Sequence, residues 1–389
     1  MKVSGIDLSS GAAVEISFDR AITVVDHLIR PPENLAFIAP GWIDLQVNGF
    51  AGVDYNSASS TLEQIADSIR AMFACGVTRF FPTVITGSPD HMSVALRHLA
   101  NAKESIAEGT AAVGQAMEAI HLEGPYISPG DGPRGVHPAQ WVRPPDLEEF
   151  RRFQDAARGN IRLVTLSPEW PQAPRFIEAL VEQGVVASIG HTRATARQIS
   201  DAASAGATLS THLGNAADAM LPKNANYLWD QLADDRLAAS FIVDGFHLPP
   251  SFLKVALRAK GLERSLLITD AVMPAGCSPG PYRLGDEVAV ELHPDGSVRM
   301  AGGTRLAGSA LQMHHAISNV MKTACLSLRD AVSLATRNPA RVGRIPYRQR
   351  GLNPGDRADL VLFRLDDAGH LTILETYLSG QRVFTEPRA

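Results

Sequence analysis

The sequence predicts an α/β fold: a (β/α)8 TIM-type barrel with a small β-sandwich domain formed by both termini. Three observations lead there. Eight short apolar runs alternate with segments of helical period across the middle of the chain. Both ends lack long helical segments and break into short β-like pieces. No Gly-rich phosphate loop follows an early strand, which weakens the competing open, doubly wound sheet.

In chain order, "AAVEISFD" and "AITVVDHLI" supply the N-terminal β pieces. Barrel strands are expected at 41–47, 78–86, 117–124, 161–169, 185–192, 207–215, 238–247 and 265–272. Between them, "TLEQIADSIRAMFACG" (61–76) opens on a Thr suited to cap a helix and stops at a glycine. The amphipathic segments 173–184 and 195–206 also end at a glycine. A hairpin-like stretch at 284–303 reads as an excursion after the eighth strand, and "ADLVLFRL", "LTILETYL" and "QRVF" close the chain. The expected division is 1–39 with 346–389 as the small β domain, and 40–345 as the barrel.

Composition narrows the function. A net charge of −5 gives no reason to expect nucleic acid or an anionic membrane as a partner. Cys75, Cys277 and Cys325 are odd in number and far apart, which suits a reducing compartment and argues against a disulfide framework. The N-terminus lacks a basic start and a long apolar run, and no segment approaches the roughly 20 apolar residues of a membrane helix. A cytoplasmic chain is expected.

Polar residues collect at the strand ends: Gln46 and Asn48, Glu123, His191, His212, Asp244 and His247, and Asp270. Active sites of such barrels are built at the C-terminal ends of the strands. Each residue alone has an ordinary reading, as a hydrogen-bonded histidine, a loop-binding glutamate or a helix cap. Jointly, Glu123, His191 and His212 supply two imidazoles and a carboxylate from three strands, the donor set of a catalytic zinc site with one position open. An ion there lowers the pKa of its water toward about 7. Asp270, on another strand, can take the proton and pass it to a leaving group. A donor facing the developing oxyanion completes amide or ester hydrolysis. His137 lies on the long loop after Glu123, which can fold over the mouth.

The motifs "PGWIDLQVNG" (40–49), "HLEGPYIS" (121–128), "GVHPAQWV" (135–142), "SIGHT" (188–192), "THLGNA" (211–216), "DGFH" (244–247), "ITDAV" (268–272), "LAGSALQM" (306–313) and "LNPGDRADLVLF" (352–363) run in one order. With them the chain resembles the amidohydrolase superfamily, specifically the N-acetylglucosamine-6-phosphate deacetylase family. The resemblance implies one divalent metal ion per subunit, Zn²⁺ first with Fe²⁺, Co²⁺ or Mn²⁺ as alternatives, held by Glu123, His191 and His212. It implies Asp270 as general base and then acid, and His137 as the donor to the acetyl carbonyl. Asn215, Ala216, His247 and Leu306 match substrate-binding positions, and a homodimer is implied. Many relatives in the superfamily carry His-x-His where this chain has Gln46 and Asn48. Amide oxygens hold a transition metal less tightly than imidazole, so this pair is expected to line the pocket or bind a water rather than a second ion.

The chain departs from the family after His212, where it reads "NAADAMLPKNANYLWDQL" (215–232). Lys223 falls near the expected phosphate-contacting Arg; it keeps the charge and loses the bidentate fork. Tyr227 and Trp229 read as core or dimer-contact aromatics, or as a sugar-stacking surface. The expected activity is deacetylation of N-acetylglucosamine 6-phosphate to glucosamine 6-phosphate and acetate. The alternatives are an amidohydrolase acting on another N-acyl amine or an unphosphorylated amino sugar, and a catalytically silent sugar-phosphate-binding protein.

Overall fold

Eight parallel strands form the barrel in the computed structural model, which describes residues 1–32, 34–108, 113–285 and 288–387. They are Trp42–Val47, Val77–Ile85, Ile120–Glu123, Ile161–Leu166, Val186–Ile189, Leu209–Ser210, Ala238–Ile242 and Ser265–Ile268. Strands adjacent in sequence are adjacent in the sheet. A parallel bridge between Val47 and Ala271 closes the ring, and the Asp270 N–H donates to the Gln46 carbonyl at 3.0 Å.

All eight expected strands are present, but the last four stop short of the expected ends. His191, His212 and Asp270 have φ of +50°, +30° and +51°, a left-handed backbone that a β-ladder does not accept. The fifth, sixth and eighth strands therefore end two residues before them. The seventh ends at Ile242 because the Asp244 carboxylate accepts from the Phe246 and His247 N–H groups and turns the chain.

Helices start where the sequence indicates. The Thr61 side chain accepts from Gln64 N–H and the Gln64 side chain accepts from Thr61 N–H, a reciprocal cap on the helix Leu62–Ala74. That helix buries Ile65, Ile69, Met72 and Phe73. It ends against Gly76 (φ +81°), where a Cβ would lie 2.3 Å from Trp42 Nε1, so only glycine lets the chain turn there. Thr195 and Gln198 repeat the cap at Ala196–Ser204.

The barrel interior is polar beneath the mouth. His121 Nε2 contacts Thr165 Oγ1 at 2.8 Å, and Thr165 Oγ1 contacts Thr211 Oγ1 at 2.7 Å. Thr165 is on the fourth strand and Thr211 follows the sixth, so their hydroxyls meet across the inside of the ring.

Both termini build one seven-stranded sheet, in the order Gln381–Thr385, Leu371–Leu378, Leu360–Leu365, Phe37–Pro40, Lys2–Asp7, Ala13–Phe18, Ile22–His27. The two ends of the chain join where Leu360–Leu365 pairs antiparallel with Phe37–Pro40. Val14, Ile16, Phe18, Ile22, Ile38, Leu360 and Tyr377 form its own core. A buried ion cluster fastens this sheet to the barrel. Asp359 accepts from Arg79 of the second strand at 2.8 and 2.9 Å and from Arg348 at 2.6 Å.

The stretch expected as a hairpin at 284–303 belongs to a four-stranded antiparallel sheet of Gly280–Leu284, Val288–Leu292, Ser297–Met300 and Leu306–Ser309. Residues 286 and 287 of that stretch lie outside the described residues. Among the described residues no helix is long and apolar enough to cross a membrane.

Candidate active site

Glu123 is the last residue of the third strand, and His191, His212 and Asp270 each sit two residues beyond a strand end. Left-handed backbone at a non-glycine residue costs on the order of 1 kcal/mol or more and collects at functional sites. Here the positive-φ turns leave all three side chains buried at one mouth.

Glu123 Oε1 lies 3.1 Å from His191 Nε2 and 2.8 Å from His212 Nε2, and the three donor atoms lie within 4.8 Å of one another. Donor atoms around a tetrahedral ion with bonds of about 2.0–2.1 Å are about 3.3 Å apart, so this spacing fits one ion. His191 Nδ1 is 2.7 Å from the Pro133 carbonyl. That contact is the outer hydrogen bond that metal-binding histidines make, and it aims Nε2 at Glu123. Burial pushes the Glu123 carboxyl up, but the hydrogen bonds and charge of His191 and His212 outweigh it and hold the carboxyl well below its ordinary range. Burial pulls His212 down, yet its hydrogen bond to Glu123 and the Glu123 charge leave it raised.

Asp270 is buried beside this group. Burial and the negative charge of Glu123 push its carboxyl up to about 6. Its Oδ1 accepts from Gln46 Nε2 at 3.1 Å and from Asn48 Nδ2 at 2.6 Å. The two amides, expected to line the pocket or hold a water, are thus donors to the carboxylate. Two donors on one oxygen fix the plane of the carboxylate and leave Oδ2 for proton transfer. Asn48 Oδ1 is buried without a partner among the described residues.

His137 is buried, with its ring centroid 4.4 Å from that of His191, edge to face. The loop after the third strand does fold over the mouth. His137 Nδ1 lies 2.8 Å from Thr86 Oγ1, and a Thr86 hydroxyl donating there makes Nε2 the protonated nitrogen. Burial, with the neighbouring His191, pulls His137 down to about 3, so the ring is neutral. A Cβ on Gly124 would lie 2.1 Å from Thr86 Oγ1, which explains the glycine after Glu123.

Asn215 and Ala216 share a crevice with Gly190, His191 and Thr211. His247 Nδ1 is 2.6 Å from Asp244 Oδ2. Leu306 is half-buried and opens the strand Leu306–Ser309, whose Ser309 N–H donates to the Asp270 carbonyl at 3.2 Å. Lys223 is exposed and has no hydrogen bond or ion pair among the described residues. Tyr227 is a core residue whose hydroxyl accepts from Asp218 N–H at 2.7 Å, whereas Trp229 is 51% exposed.

Two supporting residues, Thr86 and Asp44, had no readable signal in the sequence. Thr86 orients His137. Asp44 accepts from the Thr269 hydroxyl at 2.5 Å and the Thr269 N–H at 3.2 Å, bracing the residue before Asp270. The Asp44 carboxyl is pushed up to about 7 by burial.

Comparison with known proteins agrees with this geometry. The chain matches the Amidohydrolase family over residues 37–383 and belongs to it. That family is metal-dependent, and the chain is a hydrolase acting on amide C–N bonds. It is 33% identical over 370 residues to the N-acetylglucosamine-6-phosphate deacetylase of Bacillus subtilis, covering 95% of this chain and 90% of that protein. The enzyme of the same name from Homo sapiens is 33% identical over 362 residues, covering 89% and 83%. The structure resembles N-acetyl-D-glucosamine-6-phosphate deacetylase from Mycobacterium smegmatis, solved in complex with N-acetyl-D-glucosamine-6-phosphate. Its TM-score is 0.83 at 32% identity, covering 96% and 95% of the two chains. The Thermotoga maritima enzyme of that name gives a TM-score of 0.84 at 25% identity, covering 99% and 100%.

Proposed function

We propose that the chain removes the acetyl group from N-acetylglucosamine 6-phosphate, releasing glucosamine 6-phosphate and acetate. One observation carries the reading: Glu123, His191 and His212 converge next to a buried carboxylate, Asp270, whose Oδ1 is held by two amides. The names of the relatives, at 33% identity over most of the chain, support the substrate.

Glu123, His191 and His212 would hold the ion, and Zn²⁺ suits this N,N,O set; Fe²⁺, Co²⁺ and Mn²⁺ would share it. When bound, such an ion polarises a carbonyl oxygen and lowers the pKa of a water molecule. Asp270 Oδ2 takes the proton of the attacking water, while Gln46 and Asn48 keep Oδ1 occupied. The neutral His137 donates from Nε2 to the oxygen on which charge develops. Asp270 then returns its proton to the amide nitrogen as the C–N bond breaks, so the amine leaves uncharged. His247, fixed by Asp244, together with Asn215, Ala216 and Leu306, orients the sugar phosphate.

Residues 1–39 with 346–389 serve in this reading as the supporting domain, and 40–345 as the catalytic one. The protein works in the cytoplasm as a homodimer, and Lys223, without a hydrogen bond or ion pair among the described residues, is available to a phosphate in its own or a partner subunit's mouth. The test is acetate release from acetylated amino sugars with and without the 6-phosphate. Preference for the phosphorylated substrate, lost in Lys223→Ala, is the expected result. Equal turnover of both substrates favours the second reading, an unphosphorylated amino sugar, which the exposed lysine in place of a guanidinium fork would then explain.

A further inference from the structure

We propose a second anion site at the opposite end of the barrel, built from four arginines and taking a phosphate group. Thr208 precedes the sixth strand, Asp235 and Arg236 precede the seventh, and Arg264 precedes the eighth. Arg341 lies in the last turn of the helix Arg337–Val342 and Arg344 follows that helix. With Ala238 and Val342 these residues line a cleft of about 290 Å³. Its strand-flanking members lie at the N-terminal ends of strands, whereas Glu123, His191, His212 and Asp270 lie at C-terminal ends. The cleft is therefore separated from the reaction centre by the length of the barrel.

Charge makes the cleft unusual in a chain of net charge −5. Asp235 is the only carboxylate in the lining, paired with Arg264 at 2.8 Å. Arg236 is held at 2.6 Å by Asp234. Arg341 has a backbone carbonyl, that of Glu263, as its side-chain partner, and the Arg344 guanidinium has no hydrogen bond or ion pair among the described residues. Arg264 Nε is buried without a partner among the described residues. The lining itself carries four guanidinium groups and one carboxylate, and arginine does not shed its proton to relieve that positive excess. A phosphate dianion matches that excess, and its oxygens match the planar forks of Arg341 and Arg344. The volume is at the small end of the range for metabolite pockets, which suits a free phosphate or a hexose phosphate. Asp234, Asp235 and the exposed Glu263 flank the cleft and oppose an extended polyanion.

The experiment is calorimetric titration of the full-length, metal-loaded protein with inorganic phosphate and, separately, with glucose 6-phosphate, alongside Arg341→Ala/Arg344→Ala and Arg344→Glu. Arg344→Glu removes no side-chain hydrogen bond or ion pair among the described residues, so it remains informative if the double variant does not fold. In the parent we expect a binding component, and a phosphate-dependent rise in Tm, that weaken about tenfold or more in both variants. The component that persists in the variants belongs to the catalytic mouth. Tighter variant-sensitive binding of glucose 6-phosphate than of phosphate assigns a sugar phosphate, and equal affinity assigns the phosphate group alone. Isotherms and Tm shifts for both probes that are unchanged in Arg344→Glu overturn the site.

Discussion

Asn48 Nδ2 lies 2.6 Å from Asp270 Oδ1 although 222 positions separate the two residues. Gln46 Nε2 reaches the same oxygen from two residues earlier on the first strand. A hydrogen bond to a charged acceptor is worth about 1.5–3 kcal/mol. Asn48→Ala is therefore expected to lower kcat by roughly 10- to 100-fold with metal content unchanged. A variant with normal kcat would show that the amide does not position the base.

The pH profile follows from the same carboxylate. Burial and Glu123 raise Asp270 to about 6, and it must be ionised to accept a proton. Activity is thus present above that value and is lost as pH falls through it. The Asn48 hydrogen bond and the His212 charge both act to lower Asp270. A bound divalent cation acts in the same direction, so the acid limb of kcat for the loaded enzyme lies at or below about 6. Asn48→Ala moves that limb upward. A limb that stays fixed in this variant would assign the titration to another group.

His137 is expected to act as a neutral donor. It is pulled down to about 3, so its protonation does not change over the working range. His137→Ala should lose about 10² to 10³ in kcat, by the same factor at pH 6 and pH 8. Thr86→Val should lose less, because it frees the ring to reorient without removing it. A loss for His137→Ala that grows or shrinks with pH contradicts the neutral assignment.

Metal uptake is expected to release a proton. Without an ion, contact with Glu123 raises His212, so coordination, which needs the neutral imidazole, competes with its proton. Calorimetric titration of the chelated protein with Zn²⁺ in buffers of different ionisation enthalpy measures this directly. Heats that do not vary with the buffer would rule it out. Glu123→Gln should lose both the proton release and tight binding.

The barrel was legible because its strands are short apolar runs closed by glycine-terminated helices, and Thr61 and Thr195 advertise their helices through reciprocal caps. Glu123, His191, His212 and Asp270 were legible for a related reason: a polar side chain at the end of a buried strand has few places to go. The strand ends were overestimated because left-handed backbone at His191, His212 and Asp270 leaves no mark in residue type. The duty of Gln46 and Asn48 was hidden, since their acceptor sits on the eighth strand and only barrel closure brings it near. Thr86 and Asp44 were hidden likewise, one among the hydroxyls of a β-branched run and the other inside an apolar strand. The terminal β pieces were visible, but their merging into a single sheet depends on the pairing of Phe37–Pro40 with Leu360–Leu365, a long-range choice.

The seam at which Gln46 and Asp270 meet has a consequence for biosynthesis. A nascent chain halted before residue 265 already contains all three candidate metal ligands but neither the base nor the strand that presents it to its amide donors. Such a fragment holds the ligand residues yet lacks the proton carrier, so competence for catalysis arises late in synthesis and reports that the ring has closed.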